Sequence, residues 1–249
     1  MKKTTINMMS SATSVKGQGV GSAYIEQVGL VKSELSDKFE VTENKHMKAD
    51  ITHYHTLNPN YYLGRKSATK YGRSVGYVHM LPETVETSLD LPRFMKNIFY
   101  KYMIKFYKSM DYLVTVNPYF IGRLAHYGVP NFVSSEVFHP VSPEEKKKLR
   151  TKYGLEDKFT VVCAGQLQVR KGVFDFVKIA EKMPDIQFVW AGGFSFGKIT
   201  DGYDEIKKIT AAPPANIKFL GIIDREFMNE VYNLGDVMFL PSFEELFPM

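Results

Sequence analysis

The chain is poor in cysteine, in long apolar runs and in repeated sequence, and each shortage closes off a class of protein. Its one cysteine, Cys163, lies within an apolar run, so no disulfide framework can form and a reducing, cytoplasmic setting is expected. Cys163 itself reads as a small core residue. Nowhere is there a run of about 18 apolar residues, and the two lysines near the start, Lys2 and Lys3, are not followed by a long apolar segment. Neither export nor membrane spanning is expected. The absence of a fixed-period repeat or a low-complexity tract sets aside solenoids and disordered tails.

What is present is enough apolar sequence for real cores, with 44% hydrophobic residues in a chain of 249. The charge is lopsided. Residues 1–140 carry 17 basic and 11 acidic side chains, a net of +6, whereas the remainder carries 15 and 16. A basic first part suits an anionic partner, either nucleic acid or a membrane face.

Strand-like runs alternate with helix-like segments throughout, the pattern of an α/β protein with parallel sheets and crossover helices. In the first part, strands are expected over residues 4–9, 51–55, 74–80 and 112–116, with helices over 22–35 and over 118–127, the latter closed by Gly128. A charged stretch over 143–153, with Pro140 and Pro143 at its start and Gly154 at its end, marks a boundary between domains 1–142 and 143–249. In the second part, residues 159–164, 186–191, 217–220 and 237–240 read as strands.

Three segments could carry chemistry. Gly17-Gln18-Gly19-Val20-Gly21, between a strand and a helix, could let backbone approach a phosphate at a helix N-terminus, although its spacing is not the full dinucleotide fingerprint. A partner carboxylate further on is ambiguous between Glu40 and Glu43. In Gly165-Gln166-Leu167-Gln168-Val169-Arg170-Lys171-Gly172, a strand runs into a glycine turn, and two adjacent cations precede a helix from about Val173; such cations can stabilise a leaving diphosphate. Finally, residues 241–249 take a strand end into an acidic loop, where a carboxylate can accept hydrogen bonds from sugar hydroxyls.

Taken in order, the glycine loop, the Gly165–Gly172 motif, Ala191-Gly192-Gly193, Phe219-Leu220-Gly221 and the segment from Pro241 to Phe247 resemble the retaining glycosyltransferases of family four. Within that family the chain looks most like the bacterial diacylglycerol glycolipid synthases, notably at His53-Tyr54-His55-Thr56-Leu57-Asn58-Pro59 and through the Gly165–Gly172 motif. The resemblance implies the GT-B architecture, two Rossmann-like domains with a donor cleft between them. It makes Arg170 and Lys171 the cations of the donor diphosphate and Gly19 and Gly21 the loop that closes over it. Glu245 matches the first glutamate of the family's E-x7-E element, which contacts the transferred sugar, and His79 matches a histidine facing that sugar. His53 and His55, at another strand end, are expected to support the cleft.

Two departures stand out. Gln166 occupies a position where many relatives carry arginine. The second glutamate of E-x7-E would fall eight residues after Glu245, beyond Met249. The second domain is therefore expected to be incomplete, and these residues alone are not expected to make a competent transferase.

One segment differs from the rest in composition. Over residues 93–108, Met95, Phe99, Tyr102, Met103, Phe106 and Met110 share one helical face while Arg93, Asn97, Lys101, Lys105 and Lys108 share another. Phe94, Tyr100, Ile104 and Tyr107 lie on or beside the basic arc, an arrangement that suits an interfacial surface for Arg93, Lys96, Lys101, Lys105 and Lys108. The reading is a retaining transfer of a hexose from a UDP-sugar to a diacylglycerol-type lipid, by an enzyme held peripherally on the inner face of the cell membrane. By resemblance, no cofactor or metal is implied beyond the UDP-sugar donor, and the sequence has no D-x-D triplet. The alternatives are a polysaccharide or soluble acceptor, or a truncated, non-catalytic nucleotide-binding module. A nucleic-acid partner ranks last, for no nucleic-acid module is recognisable.

Overall fold

The computed structural model describes residues 2–14, 17, 19–82, 90–122 and 124–245. They fall into two compact units, one built from residues 2–82 and 91–133, the other from Asp90 and Ser134–Glu245.

The first unit is a six-stranded parallel sheet. β1 (Thr4–Met9), β2 (Phe39–Glu43), β3 (Ile51–Tyr54), β4 (Arg73–Val78), β5 (Tyr112–Thr115) and β6 (Tyr127–Gly128) are ordered β2-β1-β3-β4-β5-β6. β1 lies second in this order, and its Ile6, Met8 and Met9 are all buried, as a parallel strand covered on both faces requires. Asn7, buried among them, is satisfied by donating from Nδ2 to the Lys45 carbonyl at 2.6 Å. Helix α1 (Gly19–Glu34) packs Tyr24 and Val28 on Ile6 and Met8. Helix α2 (Pro59–Tyr71) has Pro59 in its first turn, and α3 (Arg93–Tyr107) leads back to β5.

Three expectations are corrected here. β2 is short and half-exposed, without the apolar run that marks its neighbours, yet it pairs with β1 over five residues. The helix expected over 118–127 does not form. A single 3-10 turn spans Pro118–Phe120, Gly122 adopts a left-handed φ of 76°, and Tyr127–Gly128 pairs with Val114 and Thr115 as β6. The open edge of β5 offers backbone hydrogen bonds, including His126 N–H to the Leu113 carbonyl at 2.8 Å, and satisfying that edge outweighs local helix preference. The third correction concerns α3, where burial is confined to Met103, Phe106 and Tyr107. Tyr107, placed by its spacing beside the basic arc, is 1% exposed because its phenol donates inward to the Met80 carbonyl at 3.0 Å. Met95, assigned to the core face, is 44% exposed, since the first turns of α3 bury no residue.

The second unit is a four-stranded parallel sheet of β7 (Thr160–Ala164), β8 (Gln187–Ala191), β9 (Ile217–Gly221) and β10 (Val237–Met238), ordered β10-β7-β8-β9. Alternation along each strand divides its core between two faces. Val161, Cys163, Phe188 and Trp190 pack with Phe176 of helix α5 (Val173–Lys182) and Ile206 of α6 (Tyr203–Ala211). Val162, Val189 and Ala191 pack with Val231 and Leu234 of α7 (Met228–Leu234). Burial pushes the Cys163 thiol up to about 12, so it is an unreactive core residue.

Helix α4 (Pro143–Lys152) turns the charged stretch into a framework element. Ser142 caps it by accepting from Glu145 N–H at 3.2 Å, acids occupy its first turn, and Arg150 and Lys152 its last. Arg150 is 6% exposed. It donates to the Leu234 carbonyl at 3.1 Å and to Asp236 at 2.6 Å, while the other Asp236 oxygen takes Lys146 at 2.7 Å. Burial would raise the Asp236 carboxyl, but Lys146, the Thr160 N–H and Arg150 together hold it below the usual range. Arg150→Ala would leave this half-buried carboxylate short of one of its three partners, and urea unfolding should show the second unit losing about 3 kcal/mol. A variant as stable as the parent would show that the network contributes nothing.

Candidate active site

At the carboxyl end of β7, backbone segments approach more closely than any side chain would permit. Gly165 donates to the Ala191 carbonyl at 2.9 Å, and its own carbonyl accepts from Trp190 Nε1 at 2.9 Å. Gly192, at φ 143°, passes so near that a Cβ there would collide with the Gly165 carbonyl. Gly172, at φ 72°, ends the 3-10 turn Val169–Lys171 and precedes α5; a Cβ there would strike the Pro241 carbonyl. Both glycines therefore serve as close-approach points in left-handed or otherwise glycine-only conformations.

This crowding lays the strand that leaves β10 across the cation turn. Phe243 N–H donates to the Arg170 carbonyl at 2.9 Å, Arg170 NH1 donates to the Glu244 carbonyl at 3.2 Å, and Lys171 Nζ is hydrogen-bonded to Glu245 Oε1. Arg170, Lys171 and Glu245 are thus brought together across 74 residues of sequence. Burial lowers Lys171 below the usual lysine range, an effect partly offset by the Glu245 carboxylate. Beneath them, Gln168 is 1% exposed, and neither of its amide atoms has a hydrogen-bond partner among the described residues. Its only trace in the sequence is a polar residue between Leu167 and Val169.

In the first unit, the strand ends carry a different array. β3 and β4 pair so that Tyr54 lies opposite Gly76, and the residues that follow on each strand stack. Tyr77 and His79 are parallel with centroids 4.3 Å apart, His55 lies 5.2 Å from Tyr77 and 5.7 Å from His79, and His53 lies 4.3 Å from His55. Burial pulls His53 down to about 4 and His79 to about 3, and His55 is lowered by burial and then by its two histidine neighbours. All three are neutral imidazoles at physiological pH. Nε2 of His53 and of His79, and both ring nitrogens of His55, are buried without a hydrogen-bond partner among the described residues.

Gly19 and Gly21 lie inside the first turn of α1, which starts three residues earlier than its apolar spacing suggests. A Cβ on Gly21 would come within 3.0 Å of the Ala12 carbonyl, so this glycine packs the helix start against the preceding turn. Glu43 accepts from the Tyr24 hydroxyl at 3.0 Å and pairs with Lys32. On α3, Arg93, Lys101, Lys105 and Lys108 are exposed and Lys96 is half-buried. Lys101, Lys105 and Lys108 wall a shallow groove of about 440 Å³ floored by Tyr100 and Ile104, and Phe94 and Ile98 stand 66% and 65% exposed. None of the described helices is long and apolar enough to cross a membrane.

Two parallel α/β units in one chain, the second with a cation pair and a carboxylate at its strand ends, are compatible with a sugar-transferring enzyme, and comparison with known proteins shows that class. The family described as Glycosyl transferases group 1 matches residues 145–249. Over its whole length the chain is 49% identical to alpha-galactosylglucosyldiacylglycerol synthase of Streptococcus pneumoniae, covering 69% of it, and over 93% of its length it is 25% identical to processive diacylglycerol alpha-glucosyltransferase of Acholeplasma laidlawii, again covering 69%. In fold it is similar to sucrose-phosphate synthase of Thermosynechococcus elongatus (TM-score 0.73, 14% identity, 99% of this chain and 77% of that one) and to Anabaena HepE in complex with UDP and glucose (TM-score 0.70, 15% identity, 98% and 75%). The chain belongs to the group 1 glycosyltransferases, and its fold is of the GT-B class.

The buried histidines give the first unit a characteristic acid response. Unfolded histidines titrate near 6.5 and these titrate well below, so the unfolded state binds more protons as pH falls from about 6.5 toward 3, and stability is lost across that window while remaining flat above it. Thermal unfolding followed by circular dichroism should show Tm falling between pH 7 and pH 5, with a shallower fall in His53→Phe. Equal slopes in the two proteins would contradict burial of His53 as a neutral group.

Proposed function

We propose that the reaction this chain's site serves is the transfer of a hexose from a UDP-sugar to a diacylglycerol-type lipid, with retention at the anomeric carbon. The observation that carries the proposal is the meeting of Arg170, Lys171 and Glu245 at the amino end of α5. The bond from the sugar's anomeric carbon to the diphosphate breaks in this reaction, and charge accumulates on the leaving group. Arg170 and Lys171, with the positive amino end of α5, are the natural partners of that charge in place of a metal. Glu245 can accept hydrogen bonds from sugar hydroxyls. Gly19, the first residue of α1, leaves the helix start open to an anionic group, and Gly21 lets that start sit closely on the preceding turn. His79, neutral and with Nε2 unpartnered, is assigned a hydrogen bond to the sugar and no role as a charged acid.

The acceptor assignment rests on the diacylglycerol synthases to which the chain is similar, whose names describe α-linked sugars on lipid, as retention from a UDP-hexose donor requires. Delivery to a lipid favours a peripheral enzyme at the cytoplasmic membrane face. The α3 groove supports that location, with lysines for anionic headgroups and exposed Phe94, Met95 and Ile98 for the acyl boundary.

Two measurements test this reading. Changing both Arg170 and Lys171 to alanine should weaken UDP-hexose binding by at least about tenfold in calorimetry, since two charge-assisted contacts are lost; unaltered affinity would remove the pair from the site. Changing Lys101, Lys105 and Lys108 to glutamine should weaken sedimentation with anionic vesicles, at about 1 kcal/mol for each lysine near the surface, and added salt should do the same to the parent. Binding indifferent to both would make α3 an ordinary domain helix.

A further inference from the structure

Lys171 is engaged by the Glu245 carboxylate. The pairing is built into the backbone. The Phe243 N–H bond to the Arg170 carbonyl, the Arg170 bond to the Glu244 carbonyl and the Cβ-free passage of Gly172 under Pro241 hold the acidic segment over the cation turn. Lys171 and Glu245 are only 17% and 24% exposed in their side chains, so water screens the pair incompletely. One cation therefore faces two claims, from a carboxylate fixed beside it and from any diphosphate that enters.

We infer that the Lys171–Glu245 pair makes this site select a sugar-bearing nucleoside diphosphate over the bare nucleoside diphosphate. The inference rests on the assignment of Lys171 to the diphosphate made above. Bare UDP that draws Lys171 to itself leaves Glu245 as a half-desolvated anion with no counter-charge, facing a second anion. A UDP-hexose makes the same demand on Lys171 but brings hydroxyl donors that satisfy the carboxylate. Its sugar removes the penalty. After transfer the hydroxyls leave with the product, the competition returns, and Glu245 reclaims Lys171 from the spent UDP. The carboxylate thus raises the donor's advantage over the product in the same site and favours product release.

The test is calorimetric titration of the 249-residue protein with UDP and with UDP-glucose at fixed ionic strength. Glu245→Gln should tighten UDP about three- to tenfold and leave UDP-glucose unchanged, narrowing the ratio of the two dissociation constants by the same factor of about three to ten. Glu244→Gln removes a neighbouring charge whose field falls on Arg170, so it should move UDP and UDP-glucose together and leave that ratio unchanged. In a Lys171→Met background, Glu245→Gln should tighten UDP by clearly less than it does in the parent, since the cation being competed for is gone and only the field of Glu245 on Arg170 and the diphosphate remains. Glu245→Gln that leaves UDP affinity unchanged or weaker, while Lys171→Met alone weakens UDP, would overturn the inference and spare the donor-site assignment. An equal narrowing of the ratio by Glu244→Gln would overturn it in favour of a diffuse field effect. Lys171→Met without effect on UDP would overturn the donor-site assignment itself, and the inference with it.

Discussion

Close backbone approach at the carboxyl end of β7 is the constraint on which the second unit's chemistry depends. Gly165, Gly192, Gly172 and the Pro241 carbonyl occupy space that one methyl group at Gly192 or Gly172 would fill. Because they fit, the segment after β10 can lie on the turn before α5, and the side chains of Arg170, Lys171 and Glu245 meet without any of them having to reach. Hydrogen bonds at Phe243 and Arg170 then fix the register of that crossing. The charges are the visible chemistry, but the glycines set their positions.

The two units solve the same topological problem with opposite materials. Parallel sheets gather functional side chains at the carboxyl ends of their strands. In the second unit those ends present cations and a carboxylate. In the first they present stacked, neutral rings, His53, His55, Tyr77 and His79, kept uncharged by burial. A polar but uncharged array suits recognition of hydroxyls, whereas a charged one suits an anion.

Much of this was legible in one dimension. β1 emerges at the residues its apolar run marks, and the cation turn falls between a strand and a helix as its glycines suggest. The histidine array follows from alternation: His53 and His55, like Tyr77 and His79, are two residues apart, and strands that place such pairs on one face stack them. What stayed hidden was set by partners distant in sequence. β2 and β6 exist because neighbouring strands present open edges, a fact local composition does not contain. Tyr107 is buried because its hydroxyl finds a carbonyl, which no helical wheel encodes. The Lys171–Glu245 pair joins positions 74 apart, and only the crossing of backbones reveals that two residues with separate expected duties hold one another.

Trp190 is the chain's only tryptophan, and its indole is fully buried with Nε1 bonded to the Gly165 carbonyl at the base of the cation turn. The protein therefore carries a natural optical reporter. Indole emission shifts to longer wavelength when the ring meets water and responds to loss of its hydrogen bond. Excitation at the red edge of the absorption band, where tyrosine contributes nothing, isolates this one ring, so its emission follows the second unit alone and is most sensitive at the turn that carries Arg170 and Lys171.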